Sequence, residues 1–243
     1  MAENKTGKGL FGAFQGMVDS VKTTVQDIKL PDIKLPEVNI PKIFQKQEEK
    51  KDIIEVVPEI KSISVQSAIK IIYFMMNVDG MIQEEEERRF DEIGKELDPD
   101  FGAKKEAIVA LCQNHMSKII DPDDYYAVLQ DGVEDAIAVG KNPKEAALAP
   151  KVLIWDLLTV AYSDGQYDEN ERKILKYIVR KLNVDKAVFL EMESSYLALR
   201  DLEDELNWIK TTDRPYLTIE SMVNEIADRK NAIVESVKDL IAY

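Results

Sequence analysis

The chain has 243 residues, 45% hydrophobic and 32% charged, with a net charge of −14; its length allows one or two domains with a real core. One cysteine and one histidine exclude a disulfide framework and any thiolate-rich or poly-histidine metal centre. Ten glycines and nine prolines are too few for a turn-rich sandwich or barrel, and the acidic balance speaks against nucleic acid as a partner.

The first fifty residues differ from the rest. They hold eight lysines and seven acidic residues, a sum of +1, which leaves 24 basic and 39 acidic residues, −15, for the remainder. No uncharged stretch of spanning length occurs, and the start lacks the apolar run and small-residue cleavage site of a secretory leader. A cytoplasmic protein is expected, one that can sit peripherally at the inner face of a membrane.

Residues 1–29 form the first expected unit. Leu10, Phe11, Phe14, Met17, Val18, Val21, Val25 and Ile28 follow helical spacing and make one apolar stripe. Gly9, Gly12 and Gly16 weaken that helix, so it needs a surface to fold against. An anionic membrane surface, a protein partner and this chain's own body all fit; Lys5 and Lys8 ahead of two phenylalanines suit an interface. Residues 30–52 form the second unit. Its repeat, aliphatic–Pro–charged–aliphatic–variable, has period five at Pro31, Pro36 and Pro41. Proline at that spacing forbids a helix and favours extended backbone. The arm reads as a stiff spacer or as a strip that docks on a partner, so residues 10–44 are the expected binding segment.

From about Ser64 the pattern is helical almost throughout, apart from a short strand-like run near Ile53–Ile60. The turn signals Asp79-Gly80, Asp98-Pro99, Asp121-Pro122, Asn142-Pro143, Asp164-Gly165 and Arg214-Pro215 delimit helices. These are expected near 64–78, 83–97, 101–119, 122–139, 144–163, 168–182, 185–209 and 218–241. The fold class is all-α: an antiparallel bundle over residues 53–210 and a C-terminal helix within 211–243. In that last helix Ile219, Val223, Ile226, Ile233, Val237 and Leu240, interrupted by Lys230, form a heptad-like seam. It fits either packing on the body or a homo-oligomer.

The body contains an internal match at an offset of 85 residues. IIYFMMNVDGMIQEEEERRFDEIGKEL at 71–97 aligns with DLLTVAYSDGQYDENERKILKYIVRKL at 156–182. Asp79 matches Asp164, Gly80 matches Gly165 and Glu86 matches Glu171, with the apolar positions in register. Each copy reads as helix, Asp-Gly turn, acidic first turn, amphipathic helix: an αα-hairpin used twice.

Asp79, Glu86, Asp164 and Glu171 offer only oxygen ligands, which suit Ca²⁺, Mg²⁺ or Mn²⁺. If the hairpins face each other, the four carboxylates share one location. A structural reading is equally open. Asp-Gly is a common turn at a helix C-terminus, with Gly80 and Gly165 in the left-handed cap position, and Asp168 with Glu171 reads as a capping box, with Gln83 and Glu86 its weaker counterpart. Cys112 and His115 stand three apart on one helix but have no evident partners for zinc, and Asp131-Gly132 lacks the matching glutamate. Met75, Met76, Trp155 and Leu158 are expected in the core.

The motif resembles that of the tellurite-resistance TerB-like family: an apolar helix ending in A-x-x-D-G, with a glutamate seven residues after the aspartate. Ala161-Tyr162-Ser163-Asp164-Gly165 with Glu171 fits it, and the first copy has Met76 in place of alanine. The resemblance covers roughly residues 60–200. It implies a helical bundle with pseudo-twofold halves, an acidic metal-associated site, and links to stress response and to complexes at the inner face of bacterial membranes. The domain also occurs fused to J-domains. The one histidine here lies in Asn114-His115-Met116, so no His-Pro-Asp signature exists and that activity is not implied. Three functions compete: a non-enzymatic binding or scaffold module, a structural subunit docked through its N-terminal arm, and a metal-dependent hydrolase. The chain has no glycine loop for phosphates and no Ser-His-Asp set, which counts against the hydrolase.

Overall fold

In helix α1, Val65–Met76, apolar residues cover most of the circumference, and only Gln66 is exposed. Ala68, Ile69, Ile71, Ile72, Phe74, Met75 and Met76 are all buried. A computed structural model describes residues 60–242 except 142, 144, 145 and 166. It contains α1 and seven further α-helices: α2 Glu84–Leu97, α3 Phe101–Met116, α4 Tyr125–Gly140, α5 Pro150–Ala161, α6 Glu169–Lys181, α7 Lys186–Lys210 and α8 Tyr216–Ala242. The stripe at Leu10–Ile28, the proline repeat and the run at 53–59 lie outside the described residues. No described helix is long and apolar enough to cross a membrane.

The all-α class is as expected, and the fold is built around α1, which touches α2, α3, α4, α5 and α6. The two hairpins, α1–α2 and α5–α6, exchange partners. Their first helices pack on each other, α1 also meets α6, and α5 also meets α2. That reciprocity is what a pseudo-twofold pairing requires. Helix α5 is nearly as apolar as α1, with Leu153, Ile154, Trp155, Leu157, Leu158 and Val160 buried. Met75, Met76, Trp155 and Leu158 are core residues, as their periodicity implies.

Several expected boundaries are corrected. The helix expected over 144–163 begins only at Pro150, because Ala147–Leu148 pairs antiparallel with Ile63–Ser64 in a two-residue ribbon. Proline at the first helical position needs no donor and starts the helix cleanly. The segment expected as one helix over 122–139 divides into a 3-10 turn at Pro122–Asp124 and then α4. Helices α1 and α3 stop two or three residues early, at Met76 and Met116, and α8 starts at Tyr216. Gly80 and Gly165 are left-handed, both with φ of 82°. They do not cap the preceding helices, however. Each closes a separate turn beyond the helix: Gly80 N–H donates to Asn77 O at 3.1 Å, and Gly165 N–H to Tyr162 O at 3.2 Å.

The heptad seam of α8 is used inside the chain. Ile219, Val223 and Ile226 pack with Leu202 and Ile209 of α7 in a second apolar cluster, and Val237 joins the main core. Lys151 Nζ ties the far end of α8 by donating to Leu240 O at 3.0 Å. Lys230, the interruption, is half-buried and lies 3.9 Å from Glu203.

Helices α1 and α4 meet closely at Gly140, where a methyl group would lie 2.4 Å from the Ser67 side chain, and at Gly132, where it would lie 2.6 Å from the Phe74 ring. Gly132→Ala gains helix propensity but overpacks this crossing. A net loss of about 1–3 kcal/mol is expected in urea unfolding at neutral pH.

Candidate functional site

Each duplicated hairpin delivers its acidic residues by the same local chemistry. After α1, Asp79 Oδ1 accepts from Met81 N–H at 3.0 Å, which fixes the turn. The Tyr125 hydroxyl donates to Asn77 O and pins the same turn to α4. Glu86, in the first turn of α2, reaches back so that Oε2 accepts from Gln83 N–H at 2.8 Å. In the second copy Glu171 Oε2 accepts from Asp168 N–H at 2.8 Å, and Asp168 Oδ1 accepts from the Asn170 and Glu171 amides at 2.7 and 2.8 Å. The capping reading of both glutamates is therefore correct. Each cap uses one carboxylate oxygen and fixes where the other lies.

Because α1 packs on α5, the two turns and the two caps come to one place. Asp79, Glu86, Asp164 and Glu171 line a single pocket of about 420 Å³, together with Met81, Gln83, Glu85 and Asp168. The carboxylates sense one another. Burial pushes Glu86 up to about 7, and Asp79 and Asp164 add to the shift against the opposing Gln83 amide. Burial likewise pushes Glu171 up to about 8, with Asp168, Glu86 and Asp164 contributing and the Asp168 amide opposing. Like charges held together in a partly dry site favour either bound protons or a bound cation. No three of these four carboxylates bring oxygens within 4.8 Å of one another, so a cation here would keep part of its water, as Mg²⁺ does readily. The donor set is all oxygen and acidic, and it fits a hard divalent ion.

Of the four glutamates at 84–87, only Glu86 is buried. Glu87 faces solvent and pairs with Lys105 at 3.0 Å, and Lys105 also holds Asp91 at 2.7 Å. The second hairpin is braced by Arg172, whose Nε and Nη2 donate to the buried Glu193 at 3.1 and 3.0 Å.

A constellation not expected from the sequence surrounds His115. Its Nε2 lies 3.3 Å from Asp131 and its Nδ1 3.8 Å from Asp135, across the α3–α4 contact. The four-residue step from Asp131 to Asp135 signals two carboxylates on one helix face, but nothing local tells which helix that face meets. Lys118 Nζ stands 3.3 Å from His115 Nδ1 and already supplies a cation. Cys112 is not part of this group; it is buried, and burial pushes its thiol up to about 12. Asp156 is a further buried carboxyl, pushed up to about 8 by burial, with Arg89 opposing. Arg89 Nε donates to Thr159 Oγ1 at 3.3 Å, and Thr159 in turn donates to Asp156 O at 2.8 Å.

Against known proteins, the model of the family described as tellurite resistance protein TerB matches residues 65–193. That span begins with α1 and ends within α7, so it contains both hairpins and the pocket between them. No curated protein and no solved structure matches the chain.

The raised glutamates give stability a definite pH sign. The folded protein holds protons on Glu86 and Glu171 that the unfolded chain, with carboxyls near 4.5, releases. Their contribution is complete below that value and is lost as the pH rises through the folded values. In EDTA, Tm should fall between about pH 5 and about pH 8. Glu86→Gln with Glu171→Gln should flatten that slope without abolishing it, because Asp156 contributes in the same direction.

Proposed function

The chain belongs to the tellurite resistance TerB family, and from that membership we propose that it is a non-enzymatic module that binds a divalent cation between its duplicated hairpins. The observation that carries this reading is the lining of one pocket by Asp79, Glu86, Asp164 and Glu171. The residues have distinct roles. Asp79 and Asp164 are exposed at the ends of the Asp-Gly turns and are the first groups a cation meets. Glu86 and Glu171 lie deeper, fixed by their caps, and release their protons as the ion enters. Ca²⁺, Mg²⁺ and Mn²⁺ are the candidate ions. Binding therefore competes with protons and strengthens as the pH rises.

The family membership supports a role in stress response of the tellurite-resistance type. The N-terminal segment supplies the tether in this proposal. The stripe Leu10, Phe11, Phe14, Met17, Val18, Val21, Val25 and Ile28 contacts an anionic membrane surface or a protein partner. The arm at Pro31, Pro36 and Pro41 then spaces the bundle from it, peripheral to the inner face of the membrane. Two measurements test the parts separately. Calorimetric titration of the full chain with Ca²⁺, Mg²⁺ and Mn²⁺ is expected to give a saturable heat for at least one ion. Asp79→Ala with Asp164→Ala should remove it; flat titrations for all three ions would overturn the cation reading. Flotation with phosphatidylserine vesicles should retain the full chain and lose a version lacking residues 1–50; a full chain that never floats would exclude the lipid tether and leave the protein-docking arm.

A further inference from the structure

Helices α4 and α6 and the start of α7 enclose a concavity of about 630 Å³ that shares no residue with the acidic pocket. Its floor is apolar and aromatic: Tyr126, Tyr177, Phe189 and Leu190, the last 40% exposed. Its rim is cationic: Lys173, Lys176, Arg180 and Lys186. No acidic residue lines it, although the chain as a whole carries −14.

Two nearby carboxylates already have partners. Glu134 accepts from the Tyr177 hydroxyl and pairs with Lys181 at 2.8 Å. Asp185 caps α7, its Oδ1 accepting from the Ala187 amide at 2.7 Å and the Val188 amide at 3.3 Å. Lys173, Lys176 and Arg180 fall at i, i+3 and i+7 on α6 and so make one stripe along the opening. The Arg180 guanidinium lies 5.6 Å from the Tyr177 ring centroid, which holds it at the rim. Four like charges around one mouth repel one another, and an anion relieves that repulsion. An apolar floor of this size takes the body of a small organic molecule. The concavity's volume of about 630 Å³ lies in the range of sites that hold one small molecule.

We propose that this concavity binds a small organic anion, with its apolar body on the Tyr126–Tyr177–Phe189–Leu190 floor and its phosphate or carboxylate head on the Lys and Arg rim. The site is independent of the cation pocket, and EDTA leaves it intact. Titration of the full chain with 8-anilinonaphthalene-1-sulfonate in EDTA should give a saturable fluorescence rise. Lys176→Glu with Arg180→Glu should weaken it at least about tenfold. Leu190→Glu, an exposed position, should weaken it also, with circular dichroism confirming the fold of each variant. Displacement by dodecyl phosphate assigns an aliphatic body, and displacement by adenosine monophosphate assigns an aromatic one. The proposal fails if the rise is absent or does not saturate, if it survives both sets of substitutions, or if neither phosphate ester competes. It fails equally if the chain binds only phosphatidylserine vesicles through these residues and takes up none of the soluble probes, since the rim would then be a membrane face.

Discussion

The packing of α1 on α5 is the constraint on which the rest of the molecule depends. Both helices are apolar on nearly every side, so each must be surrounded. The bundle surrounds both by placing one against the other and packing the remaining helices around them. Helix α2 then lies against α5 and α6 against α1. The ends of the hairpins follow as a geometric consequence. Whatever stands at the Asp-Gly turn of one copy must face its counterpart from the other.

That consequence explains how residues that cap their own helices also come to line a shared acidic pocket. A capping box holds Glu86 and Glu171 at fixed positions, each using one oxygen on a backbone amide. The pairing of the hairpins then places these fixed carboxylates near Asp79 and Asp164, where burial and mutual repulsion raise both glutamates. In an isolated hairpin the same caps would stand in water and carry no such shift. The local motif supplies the carboxylates, and the tertiary contact supplies the burial and the neighbouring charges that raise both glutamates.

Charge is distributed unevenly over this fold. Asp79, Glu86, Asp164 and Glu171 line one pocket at the hairpin ends, whereas Lys173, Lys176 and Arg180 of α6 line a concavity with no carboxylate in its lining. Helix α6 thus lines both pockets from opposite ends: Glu171 in its first turn lines the acidic one, and Arg180 near its last turn lines the basic one. This ordering also suits the helix dipole, which favours acids at the first turn and bases at the last. The last helix, α8, closes the bundle with a seam that α7 and the core absorb.

Much of this was legible in the sequence, because it depends on local pattern. Helical periodicity gave the element types, the 85-residue offset gave the duplication, and Asp168 with Glu171 announced a cap that forms as written. Boundaries were less legible where a distant strand competes. Ala147 and Leu148 leave the helix because Ile63 and Ser64 are there to pair with them. The His115–Asp131–Asp135 group and the basic concavity were not legible at all, since each joins faces of helices whose neighbours no local signal names. The amino-acid order by itself determined that the body is helical, which positions are apolar and which carboxylates each turn presents, because these follow from interactions within a few residues. Only the tertiary structure decided that four of those carboxylates share one pocket and that four cations share another, because charge clustering arises from contacts between helices far apart in the chain.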